Sequence, residues 1–271
     1  MPSKPKWGQH FLRDRSVPQA IAGHVVAHSP DWIVEIGPGR RALTDALLAT
    51  HCAVYAVERD RSFLEGLRRP PRAIVWLQDV RTLDWTRLAR LDGRGVIAGN
   101  LPYYLSAPIL GAFCDAPPKV VAIVVMLQRE VALRIASGPG SRDWNALGVA
   151  VGRLWNARAL FDVPPEAFAP PPDVTSTVLE LTPRADRLPL RSTHDFRVLV
   201  RAAFLQRRKK LSNALAALVP REDPLWQTSG EPALLPSDWP DQRAERLSSD
   251  QFVALSNVYT LAHASTTVAR S

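Results

Sequence analysis

The segment Asp31-Trp32-Ile33-Val34-Glu35-Ile36-Gly37-Pro38-Gly39-Arg40-Arg41-Ala42 decides the fold. Its first half is an apolar run that predicts a buried strand, and the run ends abruptly at Gly37-Pro38-Gly39. Leucines at helical spacing follow between Arg41 and Thr50. A buried strand, a glycine turn and a helix in this order are typical of the nucleotide-binding first unit of a doubly wound α/β sheet.

The flanking sequence continues the alternation of helix and strand. A helix is predicted from Ser16 to about His28, before the fold-deciding segment. After that segment, strands are predicted over 53–57, 73–77, 95–98 and 119–127, helices over 61–67, 106–114, 129–135 and 144–154, and a final pair of strands over 157–163 and 177–181. Strands separated by helices predict a mostly parallel, Rossmann-like sheet that is covered on both faces.

Polar residues stand where successive strands end, at Gly37, Glu58, Asp79 and Asn100. An open α/β sheet binds its ligand at this edge. The glycine turn fits the dinucleotide fingerprint, and Glu58 follows at a suitable distance to bind ribose hydroxyls. This fit indicates an adenosine-bearing cofactor, either a nicotinamide dinucleotide or S-adenosylmethionine. Asp79 can accept a hydrogen bond from an adenine amino group, and the chain lacks an evident proton-relay set for hydride transfer, which favours S-adenosylmethionine.

The segment from Gly99 to Tyr104 predicts a pocket for a flat base that carries an amino group. The amide oxygen of Asn100 and the backbone carbonyl of Leu101 can each accept a hydrogen bond from an exocyclic NH2 group. Pro102 restricts the backbone, and Tyr103 offers a ring for stacking. These properties indicate an adenine amino-methyltransferase. No His, Cys or carboxylate group has metal-ligand spacing, so no metal site is expected.

The sequence changes character near residue 184, which we predict to be a domain boundary. Residues 1–184 then form the α/β domain, with a basic N-terminal arm and cofactor-covering segment over 1–15, and residues 185–271 form a helical domain. A helix predicted over 195–219 carries five basic residues that are candidates for RNA contact or domain docking: Arg201, Arg207, Arg208, Lys209 and Lys210. A proline-rich loop over 164–173 holds Phe168, either outward for binding or inward as a core residue.

Composition limits the class of protein. The net charge of +8 favours phosphate-rich partners, and the 46% hydrophobic content is ample for a core. The two cysteines, Cys52 and Cys114, lie in apolar stretches and are expected to be reduced, which indicates the cytoplasm. The start of the chain has no apolar segment of a secretory signal, and the apolar run from Val120 to Leu127 is too short to cross a bilayer. We expect a monomer that does not bind membranes.

Over nearly its whole length the chain resembles the family of ribosomal RNA small-subunit adenine N6,N6-dimethyltransferases. The matching stretches occur in the family's order and are 8–12, 34–39, 57–60, 78–80, 99–104, 126–132, 168–178 and 204–215. The resemblance implies that the cofactor is S-adenosylmethionine. It places His10 and Leu12 over the cofactor, Gly37 at its methionine half, Glu58 on its ribose, Asp79 at its adenine, Asn100, Leu101 and Tyr103 around the target adenine, and Phe168 against the other face of that adenine.

Two residues depart from the family pattern. Arg41 stands where many members have a third glycine, which leaves open how closely the following helix can pack. His10 takes a place that is often asparagine, although an imidazole can still form one hydrogen bond there.

The resemblance also implies a substrate, namely two adjacent adenines in a hairpin near the 3′ end of small-subunit rRNA in an immature 30S subunit. Three alternatives remain. The chain could methylate large-subunit (23S) rRNA, as macrolide-resistance methyltransferases do; it could be a non-catalytic RNA-binding assembly factor; or it could act on DNA. The proline-rich loop and residues 204–215 favour the small-subunit family over the large-subunit enzymes.

Overall fold

The computed structural model describes residues 10–69, 73–113, 116–220, 222–227 and 234–268. The chain forms two compact units, one of residues 1–133 with 156–183 and the other of residues 134–155 with 184–271. The predicted first domain differs from the first unit in the segment 134–155, because Trp144 and Val149 belong to the core of the second unit. Most of the predicted N-terminal arm, together with Cys114, lies outside the described residues.

The first unit is built on a mostly parallel sheet, as predicted. Its strands include β1 (Phe11–Leu12), β2 (Trp32–Ile36), β3 (Ala53–Glu58), β4 (Ala73–Leu77), β5 (Gly95–Asn100), β6 (Val120–Gln128), β7 (Trp155–Val163), β8 (Phe168–Ala169) and β9 (Ser176–Pro183). The main sheet has the order β4-β3-β2-β5-β6-β9-β7, with β2 to β6 parallel and β9 antiparallel to β6. The chain runs from β2 outward through β3 to β4 and then returns to β5 on the other side of β2. An α/β sheet binds its ligand at such a reversal of strand order, which here lies between β2 and β5.

Helices cover the sheet of the first unit. They are α1 (Ser16–Val26), α2 (Ala42–Leu48), α3 (Leu64–Arg68), α4 (Thr86–Ala89), α5 (Ser106–Ala112) and α6 (Arg129–Ala136), which begins in this unit. Ile21 and Leu47, from α1 and α2, are fully buried in one core cluster with Ile33 and Val96 of the sheet. The separate pair β1 and β8 is antiparallel, with Leu12 opposite Phe168. This pair joins the start of the described chain to the proline-rich loop.

The second unit is helical and has its own core. Its helices are α7 (Ala146–Gly152), α8 (Thr193–Leu205), α9 (Leu211–Ala214) and α10 (Ser249–Val268). Trp144, Phe196, Trp239 and Phe252 are buried together. None of the helices in the described part of the chain is both long enough and apolar enough to span a bilayer.

The single helix predicted over 195–219 is wrong. Helix α8 ends at Leu205, and the basic run over 207–210 forms a turn before α9. Tertiary contacts explain the break, because Lys210 pairs with Arg243 in an isolated β-bridge and the Arg207 guanidinium donates to the Glu245 carboxylate. These contacts outweigh the helix propensity of arginine and lysine.

Candidate functional site

A pocket of about 390 Å³ lies at the carboxyl ends of strands β2 to β5. All four of the polar residues predicted at strand ends line it: Gly37, Glu58, Asp79 and Asn100. The other predicted site residues in its wall are His10, Leu12, Leu101, Pro102 and Tyr103. The structure therefore brings nearly the whole predicted cofactor and base set together in one cavity of the first unit.

The glycine turn after β2 forms one wall of the pocket. Gly37 and Gly39 have φ angles of +68° and +50°, which residues with a Cβ atom rarely adopt. The Gly37 amide donates to the Val57 carbonyl over 3.0 Å, and a Cβ on Gly39 would lie 3.2 Å from the Phe11 ring. Both glycines are thus required by backbone shape, and Gly39 also by the closeness of Phe11.

Arg41 completes the turn in a left-handed conformation with a φ angle of +71°. Its guanidinium group donates to Asp45 over 2.6 Å and to the Gly66 carbonyl over 2.6 Å. The arginine therefore keeps the backbone shape suited to glycine, and its side chain is mostly buried, with 15% of it exposed. The helix α2 begins directly after it, at Ala42.

Glu58 is buried at the end of β3 and fastens the glycine turn to that strand. One carboxylate oxygen accepts from the Gly39 amide over 3.1 Å, and the other accepts from the Arg59 and Asp60 amides over 2.7 Å and 2.8 Å. A carboxylate has about four acceptor positions. Glu58 can therefore accept one further donor such as a ribose hydroxyl while it keeps these three bonds.

Asp79 is engaged by arginines. The Arg81 guanidinium donates to both of its oxygens, with its shortest bond at 2.7 Å, and Arg59 approaches to 3.5 Å. The hydrogen bonds from Arg81 lower the pKa of Asp79 to about 2. Arg81 was not predicted from the sequence; it follows in a short 3₁₀ turn that Asp79 caps. Asp79 is thus an ionised acceptor whose two oxygens are already bonded to Arg81.

Asn100 is held in one orientation by the segment before β1. Its side-chain NH2 group donates to the His10 carbonyl over 3.2 Å, so its amide oxygen is the atom left for a ligand. The Leu101 amide donates to the Met126 carbonyl over 3.1 Å, which anchors the backbone beside it. Pro102 has a φ angle of −57° and follows directly. This geometry suits two acceptors presented side by side.

The Tyr103 ring stacks on the His10 imidazole with ring centroids 5.6 Å apart. Its hydroxyl shares a hydrogen bond of 2.7 Å with Ser176, and burial raises its pKa. His10 Nδ1 also lies 2.9 Å from the Pro170 carbonyl oxygen. The hydrogen bond that the imidazole was expected to form therefore goes to the proline-rich loop, and one face of Tyr103 is covered by His10.

Phe168, which was predicted to stack on the target base, does not line the pocket but takes the inward position that the sequence left as its alternative. Its side chain is 1% exposed and lies in the core cluster of the first unit. Strand β8 pairs with β1, and Leu12, opposite Phe168, packs against that same core while it lines the pocket. Phe168 thus supports the pocket wall from behind, since burial of an aromatic ring is strongly favourable.

The five basic candidates do not form one free surface. Arg207 donates to Glu245 over 2.8 Å and to the Arg142 carbonyl, and Lys210 donates to Asp241 over 2.9 Å. Arg201, Arg208 and Lys209 are exposed and form no ion pair within the described residues. Two of the five therefore form contacts within the second unit, and the other three stay candidates for RNA contact.

Three further residues of the pocket were not predicted from the sequence, namely Glu35, Arg59 and Tyr104. Glu35 lines it as a buried acid, and Arg59 donates to the Tyr104 hydroxyl over 3.3 Å at its rim. A charged residue inside the otherwise apolar run 32–36 was the available signal for Glu35. Among the described residues, no group of three or more His, Cys, Asp or Glu side chains could hold a metal ion.

The profile of the ribosomal RNA adenine dimethylase family matches residues 2–258. Ribosomal RNA small subunit methyltransferase A of Xanthomonas axonopodis pv. citri is 40% identical over 265 residues, covering 95% of this chain and 96% of that protein.

Two solved structures share the fold. A dimethyladenosine transferase from Plasmodium falciparum gives a TM-score of 0.72 at 20% identity and covers 93% of this chain and 98% of its own. The 23S rRNA methyltransferase ErmE gives 0.65 at 22% identity and covers 91% and 98%. At these identities both structures support the fold alone. They do not decide between the two substrates, and that choice depends on sequence similarity.

Proposed function

Because the chain belongs to the ribosomal RNA adenine dimethylase family, we propose that it uses S-adenosylmethionine to convert two adjacent adenines of small-subunit (16S) rRNA into N6,N6-dimethyladenine. The full-length similarity to a small subunit methyltransferase supports the choice of subunit. The single observation that carries the chemistry is the Asn100 side chain in the pocket wall, whose NH2 group donates to the His10 carbonyl so that its oxygen is left for a ligand. The hairpin near the 3′ end of the rRNA, in an immature 30S subunit in the cytoplasm, is the proposed target.

The pocket residues fit S-adenosylmethionine. Glu58 retains acceptor capacity for the ribose, Asp79 is ionised, and the positive-φ turn at Gly37 leaves room beside Asn100. His10 and Leu12 lie over the same cavity. When bound there, the cofactor supplies an electrophilic methyl group on a sulfonium ion.

Asn100 and Leu101 act on the target amine. The lone pair of adenine N6 is delocalised into the ring, so this nitrogen is a poor nucleophile. Two acceptors, the Asn100 amide oxygen and the Leu101 carbonyl, draw the NH2 group towards tetrahedral geometry and localise the lone pair on the nitrogen. Positioning and fixed dipoles then provide most of the rate enhancement for an in-line displacement. The product ammonium is acidic enough to lose its proton to water, so the protein needs no dedicated base.

The target base must leave its stack, at a cost of a few kcal/mol. Tyr103 lines the pocket and offsets part of this cost by stacking on the side of its ring opposite His10. Phosphate contacts are assigned to Arg201, Arg208 and Lys209, since Arg207 and Lys210 are already paired. One N–H remains after the first transfer, so a second transfer requires only space for the first methyl group.

Transfer of label from S-adenosylmethionine to under-methylated small subunits, large subunits and duplex DNA tests the proposal. We expect N6,N6-dimethyladenine on small-subunit rRNA alone, and about a 100-fold or greater loss of kcat with Asn100→Ala. Thermal unfolding of the variant controls for folding. Label on the large subunit would instead assign the macrolide-resistance reaction, and label on DNA would assign a DNA methyltransferase. Cofactor binding with no label on any substrate would favour a non-catalytic assembly factor.

A further inference from the structure

The rim of the pocket carries an exposed aromatic ring that the proposed mechanism does not use. Tyr104 lines the pocket and is 52% exposed, and it is the one aromatic ring among the exposed large apolar side chains of the described residues. Single exposed apolar side chains are common on soluble proteins. A ring at the mouth of a pocket for a base has a further use, because a second flat base can stack on it.

Tyr104 is held in place by an arginine. Its hydroxyl accepts a hydrogen bond of 3.3 Å from the Arg59 guanidinium, whose other terminal nitrogen lies 3.5 Å from an Asp79 oxygen. Arg59 directly follows β3, and Asp79 comes after β4. The ring is therefore tied to the ends of two neighbouring strands, so that less side-chain freedom is lost when a base stacks on it.

Positive charge lies beside this ring. Arg59 and Arg81 both bind the Asp79 carboxylate, and their side chains are 35% and 46% exposed. Two positive charges and one negative charge leave this part of the rim with a net positive charge, which attracts phosphate. An aromatic ring beside exposed guanidinium groups is the combination that binds single-stranded RNA.

Tyr103 and Tyr104 serve different sides of the site. They are consecutive residues of one 3₁₀ turn, in which successive side chains are about 120° apart. Tyr103 stacks on His10 and shares a hydrogen bond with Ser176, whereas Tyr104 is bonded to Arg59 and is the more exposed of the two rings. A strand that inserts one base into the pocket leaves the next base outside, where Tyr104 lies.

We propose that Tyr104 is the stacking platform for the base next to the target adenine, with Arg59 and Arg81 beside the phosphate that joins the two nucleotides. The inference rests on the proposed function, because it takes two adjacent adenines as the substrate. When one adenine leaves its stack to enter the pocket, its neighbour loses a stacking partner, and the Tyr104 ring replaces it. The rate of methylation at one adenine therefore depends on the base beside it.

A double-mutant cycle between the ring and the neighbouring base tests the inference. The proposed hairpin is near the 3′ end of the rRNA, so a synthetic segment with an abasic residue in place of either adenine can be ligated to the rest and assembled into under-methylated small subunits. At one or both positions, we expect the abasic residue to lower kcat/KM at the remaining adenine by about 5- to 150-fold. Tyr104→Leu should cause a similar loss on the intact substrate, and the two changes together should lower kcat/KM no further.

Tyr104→Phe is the matched control, because it keeps the ring and loses only the bond to Arg59. It should remain sensitive to the abasic neighbour. Thermal unfolding checks that both variants fold, which we expect because Tyr104 is exposed. Calorimetric titration with S-adenosylhomocysteine in the absence of RNA separates the cofactor from the neighbouring base, and the affinity of Tyr104→Leu should stay within about twofold of that of the unchanged protein.

Three results would overturn the inference. One is a pair of losses that multiply at both positions, since Tyr104 would then act independently of the neighbouring base. Another is a loss of about fivefold or more in affinity for S-adenosylhomocysteine, which would assign the ring to the cofactor. The third needs no variant, namely equal rates of the unchanged protein on intact and abasic substrates. Absence of any transfer to intact small subunits would instead defeat the proposed function itself.

Discussion

At the scale of single residues, existing hydrogen bonds decide what each side chain of the pocket can offer a ligand. The Asn100 NH2 group donates to the His10 carbonyl and leaves the amide oxygen for a ligand, whereas both Asp79 oxygens already accept from Arg81. Glu58 lies between these cases, with three backbone donors and one acceptor position left. In the proposed function, the adenine of the target and the adenine of the cofactor would therefore meet acceptors of different availability.

Phe168 and Tyr103 give a matched pair for testing which ring stacks on the target base. Phe168 is 1% exposed in the core, so Phe168→Leu should lower the free energy of unfolding by about 1–2 kcal/mol and change kcat/KM for rRNA little. Tyr103→Leu removes a ring from the pocket wall and should lower kcat/KM by about 5- to 150-fold, which corresponds to about 1–3 kcal/mol of stacking.

Urea unfolding and steady-state kinetics on both variants check this pair. A large fall in kcat/KM for Phe168→Leu with unchanged stability would show that Phe168 leaves the core to stack on the base. Tyr103 would then be a supporting residue. The two variants carry the same replacement, which controls for the chemistry of leucine itself.

At the scale of elements, the junction between β2 and α2 depends on Arg41 in a left-handed conformation. A left-handed backbone costs a residue with a Cβ about 1 kcal/mol relative to glycine. Arg41→Gly removes this cost and the side-chain bonds to Asp45 and Gly66, whereas Arg41→Ala removes only the bonds. We therefore expect the glycine variant to be about 1 kcal/mol more stable than the alanine variant in urea unfolding.

Because both variants lack the guanidinium group, the difference between their free energies of unfolding reports the cost of the backbone conformation at residue 41. Alanine is the more stabilising of the two inside a helix, whereas Arg41 stands directly before α2, where glycine is the preferred residue. Equal stability, or a more stable alanine variant, would mean that residue 41 does not hold a positive φ in solution. Cofactor affinity measured in parallel shows whether the packing of α2 matters for the site.

At the scale of the whole molecule, the pattern of apolar residues predicted the helices and strands whose burial can be read from their own sequence. The parallel strands and the ligand edge followed from apolar runs and from polar residues at their ends, and the pocket contains those residues. The broken helix after Leu205, the inward Phe168 and the Arg81 bond to Asp79 all depend on partners distant in sequence or on side-chain direction. A one-dimensional pattern carries no signal for such contacts.

Charge is the other property of the whole molecule, and its net value of +8 does not say which cations are free. Arg207 is bound to Glu245 and to backbone carbonyls, whereas Arg208 and Lys209 are exposed without ion pairs among the described residues. The double variant Arg208→Ala with Lys209→Ala should therefore keep its stability and weaken rRNA binding. It should also reduce the slope of log K against log salt concentration by about 1.4, or about 0.7 per phosphate contact.

The neighbouring Arg207→Ala is the matched control for this prediction. It should leave the salt slope unchanged and lower the free energy of unfolding by about 1 kcal/mol, because its bonds are internal and partly exposed to solvent. Filter binding of small-subunit rRNA across a salt series, with urea unfolding beside it, separates the two roles. If Arg207→Ala reduced the slope as much as the double variant, Arg207 would have to leave Glu245 on binding RNA, and the basic turn would act as one phosphate-binding unit.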